Sequence, residues 1–169
     1  IRLTYYSCAA EFLRGTWAEG VVMGLAIFTV IYGCSRALKE THFKRRLAWS
    51  TVSNLSYILF GVTIMPPLGM AAAITHLVCH AFMKITGFFC AGAVIHQTER
   101  QYVHQLNGLG RRMPVIFGCF TAASLALMGV PGLAGFVSKW SLAQAAVSSG
   151  SPLALAGVGA LLASALLTA

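Results

Sequence analysis

No charged residue lies between Glu19 and Arg36, and the run around that gap, Trp17 to Leu38, has the length of a membrane-crossing helix. At 1.5 Å per residue it reaches about 30 Å, the thickness of the hydrocarbon layer. Comparable runs follow. One begins at Phe43 and ends near Met65, where Pro66 and Pro67 stop it, and the next covers Leu68 to about Ile95. Another starts at Met113 and Pro114 and reaches Met128, and the last runs from Leu153 to Ala169. Of the 169 residues only 9% are charged and 57% are hydrophobic. Soluble chains carry about a quarter charged residues, and a domain of this size keeps much of its surface in water. So few ionisable groups exclude a soluble domain, and so many apolar ones exclude disorder. The chain reads as an all-α, polytopic bundle of transmembrane helices.

One crossing is interrupted. After Met128, the helix breakers Gly129, Pro131, Gly132 and Gly135 fall within seven residues, which a continuous helix does not tolerate. The sequence stays apolar through them, and a helical piece resumes at about Phe136 and continues to Val147. The two halves count as one crossing with a broken middle, which gives about five crossings in residues 17–169. Residues 1–16, with Tyr5, Tyr6, Glu11 and Arg14, suit an interfacial piece or the end of a preceding helix. With Ile1 at its start and Ala169 inside an apolar run, the chain has the look of part of a longer protein.

The net charge of +8 would suggest nucleic acid in a soluble protein. Its placement says otherwise. Five basic residues lie between Arg36 and Arg46 and three more between Arg100 and Arg112, in two loops that alternation puts on one side of the membrane. By the positive-inside rule these loops face the cytoplasm of a prokaryotic cell membrane. The five cysteines (Cys8, Cys34, Cys79, Cys90, Cys119) are scattered and odd in number, so they read as buried thiols rather than a disulfide framework.

His76, His80 and Lys84 follow one another at steps of four, so they share one helical face over about 12 Å. Ala73, Gly87 and Ala91 edge the same face, whereas Leu77, Phe82, Ile85 and Phe88 lie elsewhere, so the polar stripe turns toward protein or water. A lysine near mid-membrane costs roughly 2.5 to 3.5 kcal/mol and calls for a functional reason. Three readings stand beside one another. The histidines are a proton relay, since histidine titrates near neutral pH and a lysine in an apolar site exchanges its proton more readily than one in water. Or they are neutral groups hydrogen bonded between helices. Or, as an i, i+4 pair with Cys79 nearby, they hold zinc, although the glutamate of an HExxH site and a third ligand are missing.

Lys139 follows the break directly, with Ser138 placed to cap the second half helix, so the lysine is expected in a first turn at the positive end of the helix dipole. The bland alternative is a snorkelling interfacial lysine. Lys44 opens its span beside Arg45 and Arg46, and Ser50, Thr51, Ser53, Asn54, Ser56 and Tyr57 follow it. Those polar groups either pack against a neighbouring helix or hold water for protons.

The segments HFKRRLAWSTVSNLSY (42–57), HLVCHAFMKITGFFCAG (76–92) and LNGLGRRMPVIFGCFTAASLALMGVPGLAGFVSKW (106–140) resemble the antiporter-like membrane subunits of respiratory complex I, Mrp-type sodium/proton antiporters and membrane-bound hydrogenases. The resemblance covers about Arg36 to Val147. It implies an inverted-repeat fold with broken helices, in which lysines, histidines and a glutamate carry protons near the bilayer midplane. His76, His80 and Lys84 match the family's H-x-x-x-H-x-x-x-K helix, and Lys139 the lysine at the break of the second repeat. Lys44 matches the lysine of a D-x-K-R motif, although Thr41 to Phe43 depart from its acidic start. The first repeat, with its glutamate and its own lysine, would lie before Ile1.

The resulting expectation is a proton-translocating subunit of a multi-subunit complex in the lipid bilayer. Lys84 and Lys139 would be carriers, His76 and His80 the relay, and Lys44 the connector, moving H⁺ or alternatively Na⁺. A structural, helix-packing subunit without an ion path is the rival. No cofactor or metal is expected, and no redox chemistry belongs to the chain, since it has neither a nucleotide-binding loop nor an iron–sulfur cysteine cluster. Any oxidoreductase activity would lie in partner subunits.

Overall fold

A computed structural model describes residues 17–64 and 67–168. They form six α-helices: α1 (Trp17–Lys39), α2 (Phe43–Thr63), α3 (Pro67–Thr98), α4 (Pro114–Met128), α5 (Ala134–Ser149) and α6 (Pro152–Thr168). Two short 3₁₀ turns, Val103–Leu106 and Leu109–Arg111, lie between α3 and α4. The apolar runs therefore became helices, as their length and hydropathy require. The interfacial reading of residues 1–16 falls outside the described residues.

α1 and α3 are each long and apolar enough to cross a membrane. α2 is more polar, and its polarity points inward. Ser50, Ser53, Asn54, Ser56 and Tyr57 are buried, while Val52, Leu55 and Leu59 are exposed. α3 repeats the arrangement, with His76, His80 and Lys84 buried beside Ala73 and Ala91, and Leu77, Phe82, Ile85 and Phe88 turned outward. Polar groups inside and large apolar groups outside is the distribution that lipid, not water, selects.

An apolar core is drawn from five helices. Met23 and Val30 of α1, Phe60 of α2, Ala72 of α3, Leu142 and Ala145 of α5, and Ala154 and Leu161 of α6 pack together there. Small residues let the helices approach closely. At Gly33 of α1 a Cβ would stand 3.1 Å from the Ser53 backbone nitrogen, so glycine sets the spacing of α1 and α2.

At one end the two basic loops are clasped together. His42 and Tyr102 form an isolated antiparallel bridge. The Phe43 N–H donates to the Gln101 carbonyl at 3.0 Å and the Val103 N–H to the Thr41 carbonyl at 3.0 Å. The alternation that put these loops on one side is thus matched in the fold.

The interruption has a definite form. Gly129 closes α4 with φ 92°, donating its N–H to the Leu125 and Ala126 carbonyls, and Gly132 has φ 91°. Both angles lie in the left-handed region that favours glycine, and Pro131 between them has no N–H to continue a helix. Two details differ from expectation. α5 begins at Ala134 rather than about Phe136, so Gly135 lies in its first turn and is not a breaker. Glycine stands there because a Cβ would overlap the Ala126 carbonyl of α4, which α5 crosses at close range. Ser138 is not the cap either: Leu133 holds that position, and Ser138 is buried inside α5. The cysteine reading holds for Cys34 and Cys90, which are buried, but Cys79 is only half-buried and Cys119 is exposed on α4; Cys8 is outside the described residues.

Candidate functional site

The inward stripe of α3 forms the spine of the site. His76 is fully buried and His80 nearly so, and their rings stack with centroids 6.1 Å apart and planes 21° from parallel. The i, i+4 spacing produces this stacking, because consecutive turns set the two rings one above the other. Ser138 of α5 donates its hydroxyl to the Gly135 carbonyl at 3.1 Å, so it accepts from His76 Nδ1, 3.0 Å away. With Nδ1 as donor, His76 Nε2 carries a lone pair. That atom and His80 Nε2 are both buried and bond no group among the described residues. With Nδ1 donating to Ser138, His76 Nε2 is the ring's proton-accepting atom.

One turn further along, Lys84 reaches across to α2. Its Nζ donates to the Leu47 carbonyl at 3.0 Å and to the Ser50 hydroxyl. Ser50 in turn donates to the same Leu47 carbonyl at 2.9 Å. The ammonium is therefore held by neutral oxygens of a neighbouring helix, with only 6% of the residue exposed.

Lys139 is anchored at the break, in a manner its sequence position did not reveal. It lies in the second turn of α5, and its Nζ donates to the carbonyls of Leu127 at 2.7 Å and Met128 at 3.1 Å. These carbonyls belong to the last turn of α4, where the chain break leaves them without N–H partners. The expected repulsion from a positive helix end is thus replaced by attraction to a negative one. Above the ammonium lies the ring of Tyr57, its centroid 5.9 Å from Nζ. Tyr57 also meets His76 edge-on at 5.5 Å and donates its hydroxyl to Ser164 of α6.

A cavity of about 490 Å³ borders both lysine anchorages. Leu47 and Ser50, which hold Lys84, line it, as do Leu127 and Met128, which hold Lys139. Arg46 and Asn107 line it at the end where the basic loops are clasped.

The structure thus brings together His76, His80, Lys84 and Lys139, and leaves Lys44 apart, exposed at the head of α2. Among the described residues no three His, Cys, Asp or Glu side chains gather as metal ligands, so the zinc reading finds no third ligand beside the histidine pair. Part of the polar run of α2 packs against a neighbouring helix, since Ser53 donates to the Val30 carbonyl of α1 at 3.1 Å. Asn54 donates within α2 to the Ser50 carbonyl at 2.7 Å, whereas Ser50 and Tyr57 face the lysines. Tyr57, Ser164 and Cys34 were not separable from the surrounding sequence as site residues. The signal that could have found Tyr57 is its spacing, since Ser50, Ser53 and Tyr57 fall on one face of α2.

Residues 3–166 match the family model described as NADH:quinone oxidoreductase/Mrp antiporter, TM. The chain is 34% identical over 119 residues to NAD(P)H-quinone oxidoreductase chain 4-3 of Nostoc sp., covering 70% of this chain and 21% of that one. It is 36% identical over 115 residues to NAD(P)H-quinone oxidoreductase chain 4 1 of Picosynechococcus sp., covering 68% of this chain and 22% of that protein. It thus spans about a fifth of the length of these curated relatives. Among solved structures it resembles the Mrp complex from Dietzia sp., with TM-score 0.84 and 31% identity, over 89% of this chain and 28% of that one. It also resembles the membrane-bound sulfane sulfur reductase, an archaeal respiratory membrane complex, with TM-score 0.83 and 26% identity, over 89% of this chain and 30% of that chain. The family match takes in every buried group described above, and the chain belongs to the NADH:quinone oxidoreductase/Mrp antiporter family of transmembrane proteins.

Proposed function

We propose that this chain forms part of a proton-translocating, antiporter-like subunit of a multi-subunit membrane complex, with Lys84 and Lys139 as proton carriers and His76 and His80 as the relay. The observation that carries the reading is that both lysines, Lys84 buried and Lys139 half-buried, are held by neutral oxygens bordering one cavity. A lysine tied to a carboxylate would be fixed in one charge state. One held by carbonyls and a hydroxyl can give up its proton without leaving an unpaired buried anion behind. The stacked histidines extend the row along α3, and His76 Nε2, on the ring whose Nδ1 donates to Ser138, supplies an acceptor. In this reading the basic loops at the cavity's outer end face the cytoplasm, as the positive-inside rule expects. Lys44, exposed beside Arg45 and Arg46, enters only as a connector outside the buried row.

The structural alternative draws on the same contacts, since the bonds from Lys84, Ser53 and Tyr57 also join helices. Replacing Lys84 and Lys139 separately with Ala in the full-length protein, within its complex, distinguishes the two. Proton translocation should fall by roughly a hundredfold in each variant while the complex still assembles. Normal translocation in both sinks the carrier reading, and loss of assembly without any effect on the transport of what remains favours the structural one.

A further inference from the structure

We propose that Tyr57 is a positioning residue for Lys139: its ring face docks the ammonium at the helix break, and a buried hydroxyl and thiol chain through Ser164 and Cys34 holds the ring. The inference rests on the reading of Lys139 as a carrier and adds what keeps that carrier in place. Two carbonyls, Leu127 and Met128, accept from Nζ, and neither brings a formal charge. The π face of Tyr57, 5.9 Å away, supplies further negative potential. That attraction exists only while the amine carries its proton, so Lys139 is held at the break more tightly when charged than when neutral.

The ring itself has little freedom. Tyr57 is 1% exposed, and His76 meets it edge-on at an angle of 68°. Its hydroxyl donates to Ser164, whose oxygen lies 2.8 Å from Cys34 Sγ. Cys34 is 3.0 Å from the Ser53 hydroxyl, which donates to the Val30 carbonyl. The chain therefore runs from α2 through α6 and α1 and ends on main chain, which does not move without its helix. Simple core packing would need none of these polar groups: a buried phenylalanine fills the same space without obliging α1 and α6 to supply partners. Because one ring touches both His76 and Lys139, it also fixes these two groups relative to each other across α3 and α5.

The test uses the full-length protein in its complex, reconstituted in vesicles, with position 57 occupied by Phe and then by phenylalanines carrying one, two and three fluorines. Fluorine drains the ring face of negative potential at nearly constant volume. Proton translocation should decline stepwise, on the order of threefold to tenfold from Phe to the trifluoro ring, with assembly unchanged. A flat series overturns the docking role. For the tether, the loss caused by Ser164→Ala should shrink in the Tyr57→Phe background, whereas fully additive losses overturn it. A flat series alongside a dead Lys139→Ala variant removes the positioning role and leaves the carrier; an active Lys139→Ala variant removes both.

Discussion

Lys84 is buried and Lys139 half-buried, and neither meets a carboxylate among the described residues, yet they are solvated by different means. Lys84 stands on the long uninterrupted helix α3 and borrows its oxygens from α2, one from the Ser50 side chain and one from the Leu47 carbonyl. Lys139 stands beside a break and takes main-chain carbonyls that the break has released. A continuous helix offers few spare acceptors, because each carbonyl is already paired with the N–H four residues on. Side chains must then make up the site. A broken helix exposes acceptors that no substitution at Leu127 or Met128 can delete, and its vulnerability moves to the residues that shape the break.

The sharpest way to break the comparison is at that geometry. A Cβ at Gly135 would overlap the Ala126 carbonyl, so α5 would have to move off α4 and carry Lys139 away from Leu127 and Met128. Gly135→Ala should destabilise the folded subunit by about 3 kcal/mol, in the range of overpacked core substitutions. Thermal denaturation of the purified complex reads the loss, and translocation should fall with it. Unchanged melting would mean that the helices are not pressed together as described.

Ser50→Ala comes next, and it probes the side-chain site alone. Lys84 keeps the Leu47 carbonyl but loses its hydroxyl, which costs about 1 to 3 kcal/mol for a partner of a buried charged group. Translocation should drop by roughly tenfold, less than for Lys84→Ala, and Ser50→Thr should restore most of it by returning the oxygen. No comparable loss is expected for Leu127→Ala, because the Lys139 acceptor there is main chain. Equal losses at Ser50 and Leu127 would erase the distinction between the two sites.

How much of this the sequence carried follows from the same contrast. Periodicity is local, so the stripe of His76, His80 and Lys84, its edging by Ala73 and Ala91, and its burial could be read from spacing alone. The break around Pro131 was legible too, because glycine and proline act on their own backbone. Partners are not local. That Ser138 accepts from His76 rather than capping α5, or that Lys139 points to the end of α4 instead of meeting a repulsive helix start, depends on how half helices cross, which no residue type encodes. Gly135 shows the limit well: composition marks it as a breaker, whereas tertiary contact makes it a close-approach residue inside a helix. Cys34 and Ser164, 130 residues apart, become neighbours only when α1 and α6 pack.

Lys44 supplies the smallest expected effect and a control on the whole comparison. It shares side-chain chemistry with Lys84 and Lys139 but has neither kind of cradle, being exposed in the first turn of α2 next to Arg45 and Arg46. Its side chain is exposed rather than cradled by the oxygens that hold Lys84 and Lys139. Lys44→Gln should change translocation by no more than about twofold, as expected of an exposed position whose charge its neighbours duplicate. The measurement is the initial rate of proton uptake in vesicles, compared with Lys84→Ala in the same preparation. A loss as deep as that of Lys84→Ala would show that the path runs through the head of α2. The connector role would then be essential, and burial among neutral oxygens would not be what distinguishes a carrier lysine from a surface one.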